Sequence, residues 1–481
     1  GMLLESRYYG LDGSLVLRKD MGYAIVKYEY DAYGRMTSQA FYGTDGKAII
    51  STEHDCAMIT YHYENGNMAE ICYYGMDGQP INRADYGCAQ IREEYDDFGS
   101  VIKESYFDAK GQPVYRKDVG YASWEKVFDS YHRCLEIRYY DIQDALMLDW
   151  ETGTAVLKLD YDAYGREARY RYLDRDGQPV LNTKYLCYGM QYTYDELGNH
   201  TGIQYLDSDG GMITRKDYGC AQIKKEYDAM GQVIKESYCD KDEELLIRAD
   251  SGYAVYVVTY ENGKEKEKQY WDTERKPITR PDAGYAMIKY RYNEKGQCIS
   301  ESYYDEEGQP VISRKEKCAE YQYAYDERGN CTYIWYCGLD GRESIRKDYG
   351  AILNFMAYDE YDHMIWDAYY INGGSEYQPV IRKDVGYFAI RYTYNEQGTL
   401  ERKQYLDTDR NPVMHKQNGY AECEWSYNEK GQLEYVRYWD EDQEPVNIPG
   451  GYAEIEYIYD ASGNNIDWTY YDSSGNEFEL K

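Results

Sequence analysis

Gly284-Tyr285-Ala286-Met287-Ile288-Lys289-Tyr290-Arg291-Tyr292-Asn293-Glu294-Lys295-Gly296-Gln297-Cys298-Ile299-Ser300-Glu301-Ser302-Tyr303-Tyr304-Asp305 is the stretch that decides the fold. Ala286, Ile288, Tyr290 and Tyr292 alternate with Met287, Lys289 and Arg291, the period-two pattern of a half-buried strand. Asn293-Glu294-Lys295-Gly296 reads as a turn, and a second strand follows from Cys298 to Tyr304. Glu306-Glu307-Gly308-Gln309-Pro310 turns the chain again. Val311-Ile312 predicts a short third strand before Arg314-Lys315 lead to the next copy.

The same unit recurs on the pattern Tyr-[Asp/Asn/Glu]-x-x-Gly. Fourteen copies start at Tyr30, Tyr63, Tyr95, Phe128, Tyr161, Tyr194, Tyr227, Tyr260, Tyr292, Tyr325, Tyr358, Tyr394, Tyr427 and Tyr459. Twelve of the thirteen spacings are 32 or 33 residues; the exception, 36, follows Tyr358. A fixed period over so many copies overrides the two to four globular domains that 481 residues would otherwise suggest. We therefore expect an all-β fold of tandem ~33-residue β-hairpins forming a spiral or solenoid-like extended sheet. It would be a single repeat domain over residues 1–481, with a half-repeat at 8–22, repeats through 475 and a loop insertion near 371–377.

The turns supply a mechanistic check. Asp31-Ala32-Tyr33-Gly34 suits a type I turn closed by a left-handed glycine. Two copies are one residue shorter, Glu64-Asn65-Gly66 and Glu261-Asn262-Gly263, and both carry the Asn-Gly of a type I′ hairpin. Shortening and Asn-Gly together preserve strand register. His132 and Asp362 replace the glycine in two copies, and both residue types tolerate the left-handed region.

Seven residues after that glycine stands Tyr in thirteen copies and Phe41 in the other. The next residue is also apolar or aromatic, so both faces of the second strand carry an apolar row. Aromatic usage is lopsided, with Tyr 64, Phe 7 and Trp 8. A buried phenol needs a hydrogen-bond partner, so this preference predicts slots with an apolar body and one wet or hydrogen-bonded end. Tyr106, Tyr139, Tyr172 and Tyr205 of this row are the candidate ligand-binding platform.

The net charge of −33 argues against nucleic acid and anionic membrane surfaces. No apolar run reaches the ~20 residues of a membrane helix, and no secretory leader is visible. Gly1 before Met2 reads as a tag-cleavage scar. The twelve cysteines lack CxxC pairs, and equivalent positions in successive hairpins lie beyond disulfide reach, so free thiols in small apolar slots are expected. Cys56, Cys187 and Cys318 share one slot, as do Cys88 and Cys220, which marks a four-unit superperiod. Six histidines are scattered, and Asp-x-Asp-Gly fragments such as Asp174-Arg175-Asp176-Gly177 are explained by turn chemistry. No catalytic residues, metal or cofactor are expected. Arg-Lys-Asp, as at Arg116-Lys117-Asp118, reads as a self-paired connector.

Tyr161-Asp162-Ala163-Tyr164-Gly165-Arg166 and Tyr194-Asp195-Glu196-Leu197-Gly198-Asn199 resemble the YD or RHS repeats of bacterial surface and toxin proteins. The resemblance covers about residues 8–475. It implies hairpins wound into a spiral sheet, sometimes a shell around a passenger segment. The 33-residue period, the Gly-Tyr-Ala junction and the lack of a self-cleaving core depart from that pattern. The leading functional expectation is a non-catalytic bacterial scaffold, at the cell surface or secreted, that binds a glycan or protein. The alternatives are a structural spacer or encapsulating shell, and a glycan-active hydrolase. Tyr8-Tyr9-Gly10 and Tyr470-Tyr471-Asp472 are second-strand segments, so end-to-end self-association is also expected.

Overall fold

In the computed structural model, residues 2–10, 13–459 and 465–478 are described. They are all-β: every strand pairing is antiparallel, and no helix occurs among the described residues. The expected tandem hairpins are present. Strand Met287–Tyr292 pairs with Cys298–Tyr304 in the register Met287↔Tyr304 to Tyr292↔Cys298, with a bulge between Arg291 and Tyr292. The second strand then pairs with the first strand of the next hairpin over a shorter overlap, Ser300↔Gln322 to Ser302↔Glu320. Each hairpin thus adds two strands to the same sheet, a pitch of about 9–10 Å per copy.

Three tight turns per unit carry the chain from strand to strand. In the hairpin turn, Asp31 N–H bonds the Arg35 carbonyl and Gly34 N–H bonds that of Asp31 (2.9 and 3.0 Å). Gly34 takes a left-handed φ of 81°. His132 and Asp362 adopt φ of 63° and 66° in the same slot. At the shortened hairpins both tip residues are left-handed, Asn65 at 49° and Gly66 at 94°, Asn262 at 54° and Gly263 at 75°, the signature of a type I′ turn. The flanking Glu64↔Asn67 and Glu261↔Lys264 pairs keep register. The first turn of the last copy, after Tyr459, lies outside the described residues.

Two expectations are modified. Val311-Ile312 does not form a strand; the segment makes one bridge, Tyr304↔Pro310, and Val311 N–H bonds the Tyr303 carbonyl at 3.0 Å. Proline removes the donor a full ladder would need. The insertion is not a loop but a small hairpin of its own, in which strand Tyr377–Pro379 pairs with the end of Met364–Asn372.

Contacts divide the chain into two compact units. One comprises Gly1–Lys224, Cys239–Glu244 and Ile458–Asp467; the other comprises Lys225–Tyr238, Leu245–Tyr457 and Trp468–Lys481. Within the first, Tyr8, Tyr23, Val26, Phe41, Tyr73 and Tyr106 share a core with Cys56 and Cys88. Ile466 joins this same core, and its carbonyl accepts the Lys19 N–H at 3.2 Å. In the second, Phe388 and Leu406 anchor one cluster, Cys423 and Val436 another. All twelve cysteines are free thiols, and Cys56, Cys88, Cys187, Cys220 and Cys318 fill fully buried slots as expected. Burial pushes the Cys56, Cys88 and Cys187 thiols up to about 11, which keeps them unreactive.

Candidate functional site: tyrosine ladders and hairpin tips

The Tyr that opens each copy explains why phenol is preferred to phenyl. Tyr325 Oη donates to the Cys298 carbonyl at 2.7 Å, Tyr161 to Cys134 at 2.9 Å, and Tyr194 to Glu167 at 2.8 Å. In these copies the acceptor is the start of the preceding hairpin's second strand, so the hydroxyl ties neighbouring hairpins together; Tyr95 departs from this and donates to Glu93 of its own strand. The latch survives the insertion: Tyr394 reaches Met364 at 3.1 Å. Phe128 lacks the hydroxyl and stacks on His132 instead, at 4.7 Å.

Asp and Arg complete the motif. Asp162 Oδ1 accepts the N–H groups of Tyr164 and Arg166, both at 2.9 Å, and its Oδ2 accepts Arg166 Nε at 2.6 Å. The Arg166 guanidinium then lies over Tyr164 and over the latch Tyr194, 4.9 and 4.4 Å from the centroids. Backbone and Arg donors hold the Asp162 carboxyl below its ordinary value against the opposing effect of desolvation. In the second turn, Asp174 Oδ1 likewise accepts Asp176 and Gln178 N–H, at 2.9 and 2.8 Å. These carboxylates are committed to loop donors.

The candidate platform of the second strand faces inward. Tyr106, Tyr172 and Tyr205 are 1, 3 and 2% exposed, and Tyr139 is half-buried. Tyr121 bridges Tyr106 and Tyr139, with centroids 6.2 and 4.8 Å away, and Tyr185 stacks on Tyr172 at 6.1 Å. Arg116 covers Tyr106 at 5.2 Å and Arg215 covers Tyr205 at 4.8 Å. The junction residues thus supply the cover, a ring at Tyr106, Tyr139 and Tyr172 and a guanidinium at Tyr205.

In the second unit the same arrangement becomes an unbroken ladder. It runs from Tyr238 through Tyr253, Tyr270, Tyr285, Tyr303 and Tyr321 onward to Tyr470, with neighbouring centroids 4.8–6.5 Å apart. Junction arginines border it and are paired as expected of the Arg-x-Asp connector: Arg346 binds Asp348 through Nε and Nη2, at 2.9 and 3.1 Å. His415 takes the arginine's place in one copy, its Nδ1 accepting the Gln417 and Asn418 N–H groups at 3.1 Å. Burial, with the positive charges of Lys403 and Arg382, lowers its pKa, while Asp384 opposes.

The exposed aromatics lie elsewhere, on the hairpin tips. Tyr33, Phe98, Tyr131 and Tyr164 are 79–86% exposed, and Leu197 stands at the same position. Each is the residue before the left-handed turn position. The sequence carried this signal as a 33-residue spacing of apolar residues inside polar loops, which the second-strand row obscured. The shortened hairpin at Asn65 leaves an open notch of about 670 Å³, bordered by Glu64, Glu93, Asp97 and Phe98. The one at Asn262 leaves a notch of about 630 Å³, bordered by Lys264, Lys266, Arg291 and Tyr292. In the acidic notch, burial and the neighbouring Glu104 raise the Glu93 carboxyl, opposed by the Tyr95 hydroxyl that donates to it. Among the described residues no three metal-ligating side chains converge.

No protein-family model matches the chain, and no curated protein does. Solved structures similar to it include the TcdB2–TccC3–Cdc42 crystal structure, at 12% identity over 94% of this chain and 26% of that one, TM-score 0.30. The Photorhabdus luminescens Tc holotoxin pore is similar at 12% identity over 94% and 26%, TM-score 0.22. TcdB2–TccC3 without its hypervariable C-terminal region is similar at 14% over 93% and 30%, TM-score 0.16. The chain thus spans under a third of the length of these solved chains.

Proposed function

We propose that this chain is a non-catalytic repeat scaffold that binds a neutral or cationic partner, a glycan or a protein, at a bacterial cell surface. The observation that carries the reading is the row of exposed rings on the hairpin tips. Solvent-facing aromatic side chains at regular intervals have few structural uses and serve well as stacking platforms and interface anchors. The net charge of −33 favours neutral or basic partners over phosphate-rich ones. The acidic side chains recur from copy to copy and are engaged by turn donors, which supports a scaffold over a hydrolase.

The test is a glycan and peptidoglycan array, with a surface-protein pull-down, comparing the native chain with a Tyr33→Ser, Phe98→Ser, Tyr131→Ser, Tyr164→Ser variant. Each lost anchor should cost about 1–2 kcal/mol of binding. Equal binding by both chains would remove the tips from the mechanism.

The inward-facing tyrosines favour a second reading, a spacer or encapsulating wall, since rings used as internal ladders stiffen a thin sheet. A chain that binds no glycan or surface protein yet resists proteolysis along its whole length would fit that reading instead.

A further inference from the structure

The ladder has a property that stiffness does not require: its rings differ systematically in what their hydroxyls touch. Tyr303 Oη donates to Glu301 Oε1 at 2.6 Å, and Tyr238 Oη donates to Glu236 Oε1 at 2.6 Å. In the first unit Tyr106 donates to Glu104 in the same way. All three arise from one sequence signature, Glu-Ser-Tyr, in which the carboxylate stands two residues before the ring on the same strand face. Other ladder hydroxyls accept from donors: Tyr270 from Arg280 Nη1 at 3.2 Å, Tyr369 from Arg382 Nη1 at 2.9 Å, and Tyr405 from Asn418 Nδ2 at 2.9 Å, while Tyr321 donates to Glu316 Oε2 at 3.0 Å but also accepts from Arg346 Nη1 at 2.7 Å.

This difference decides where an electron vacancy settles. A phenol that loses an electron becomes strongly acidic and is stabilised only if its proton has somewhere to go. A cationic or amide donor on the oxygen opposes that loss; a carboxylate accepts the proton. We propose that Tyr303 with Glu301, and Tyr238 with Glu236, are buried radical-holding sites, and that the ladder conducts oxidising equivalents to them. A one-electron oxidant, such as a peroxide-derived radical or a photogenerated ruthenium(III) complex, takes an electron from a partly exposed ring such as Tyr256, which lies 6.3 Å from the ladder's Tyr253. The vacancy passes between rings in contact until Tyr285, 4.9 Å from Tyr303, is oxidised. Tyr303 then gives one electron to Tyr285; its O–H bond breaks and the proton bonds to Glu301 Oε1. The products are a neutral phenoxyl radical and a carboxylic acid. A diffusible one-electron reductant such as ascorbate reverses the step, with Glu301 returning the proton. Tyr303 is 1% exposed, so its radical is shielded from the ring–ring coupling that would cross-link chains.

The test is photo-oxidation of the full chain with a ruthenium polypyridyl complex and persulfate, followed by freezing and high-field electron paramagnetic resonance. A neutral tyrosyl signal with the g-value of a strongly hydrogen-bonded phenoxyl is expected. Its yield should fall several-fold in Glu104→Gln, Glu236→Gln, Glu301→Gln, and in Tyr285→Leu, which removes a ring while sparing the Tyr303–Glu301 pair. Circular dichroism identifies any variant that fails to fold. Changing Tyr33, Tyr131, Tyr164 and Tyr361 on the exposed tips to Phe should leave the yield unchanged. Native yield from the three-Gln chain, or loss of the signal with the tip tyrosines, overturns the proposal.

Discussion

The latch hydroxyl accounts for the unusual tyrosine content at the level of single atoms. A buried strand-start carbonyl has to be satisfied, and the opening Tyr of the next copy reaches it. Tyr325→Phe keeps the ring and removes only the bond to the Cys298 carbonyl. It should cost about 1 kcal/mol, the net value of one such bond with its acceptor left unpaired. Hydrogen exchange should quicken in strands Cys298–Tyr304 and Glu320–Tyr325 while distant hairpins keep native rates; unchanged local exchange would contradict the latch. That each tyrosine needs one hydrogen-bonded end was legible from composition. The acceptor was not, because a sequence names a donor but not the carbonyl some 27 residues upstream that it meets. For the same reason Tyr106, Tyr172 and Tyr205 looked available: strand alternation assigns a face, and only the neighbouring junction residues reveal that the face is covered.

At the scale of the hairpin, the turns were the most readable feature, because left-handed backbone restricts residue choice so sharply. Gly66 isolates that effect. A Cβ built there meets nothing within 4 Å, so the space is free and only its φ of 94° resists a side chain. Gly66→Ala should therefore destabilise by about 1–2 kcal/mol. Gly46→Ala, also left-handed at 73° and equally open, should cost about the same in its own turn. Denaturant titration followed by tyrosine fluorescence checks both; a neutral Gly66→Ala would mean that the tip relaxes out of type I′ geometry. The third strand was misjudged because Val-Ile carries strand propensity while the preceding proline removes a ladder donor, and the donor prevails. The insertion read as a loop from its glycines, yet Tyr377 and Gln378 find partners on a strand that simply runs two residues further.

Across the molecule, periodicity made the hairpin array legible, whereas the tip row and the acidic and basic notches were hidden by it. A period directs attention to what every copy shares. The notches arise where two copies are one residue short, and the tips vary from Tyr, Phe, Leu and Met in the earlier copies to Lys295, Arg328, Gln397 and Lys430 in later ones. Function concentrates in such departures because shared positions are already committed to holding neighbours together. Hairpin-to-hairpin bonding also sets how the array comes apart: apart from the contact of Ile466 with the first hairpins, its stability is a sum of local terms and not one all-or-none transition.

The latch has a direction, since wherever it forms among the described residues the hydroxyl points from a hairpin to its predecessor. Under mechanical load that asymmetry makes the chain a zipper with numbered teeth. Pulled from both ends, it should lengthen in steps of one hairpin, about 110 Å for ~33 residues at ~3.4 Å each. The tooth at Phe128, which has no hydroxyl to hold it, should part at lower force than the latched teeth at Tyr161 and Tyr194. Optical-tweezer traces with evenly spaced rips would record that order, and a single abrupt rupture would deny it.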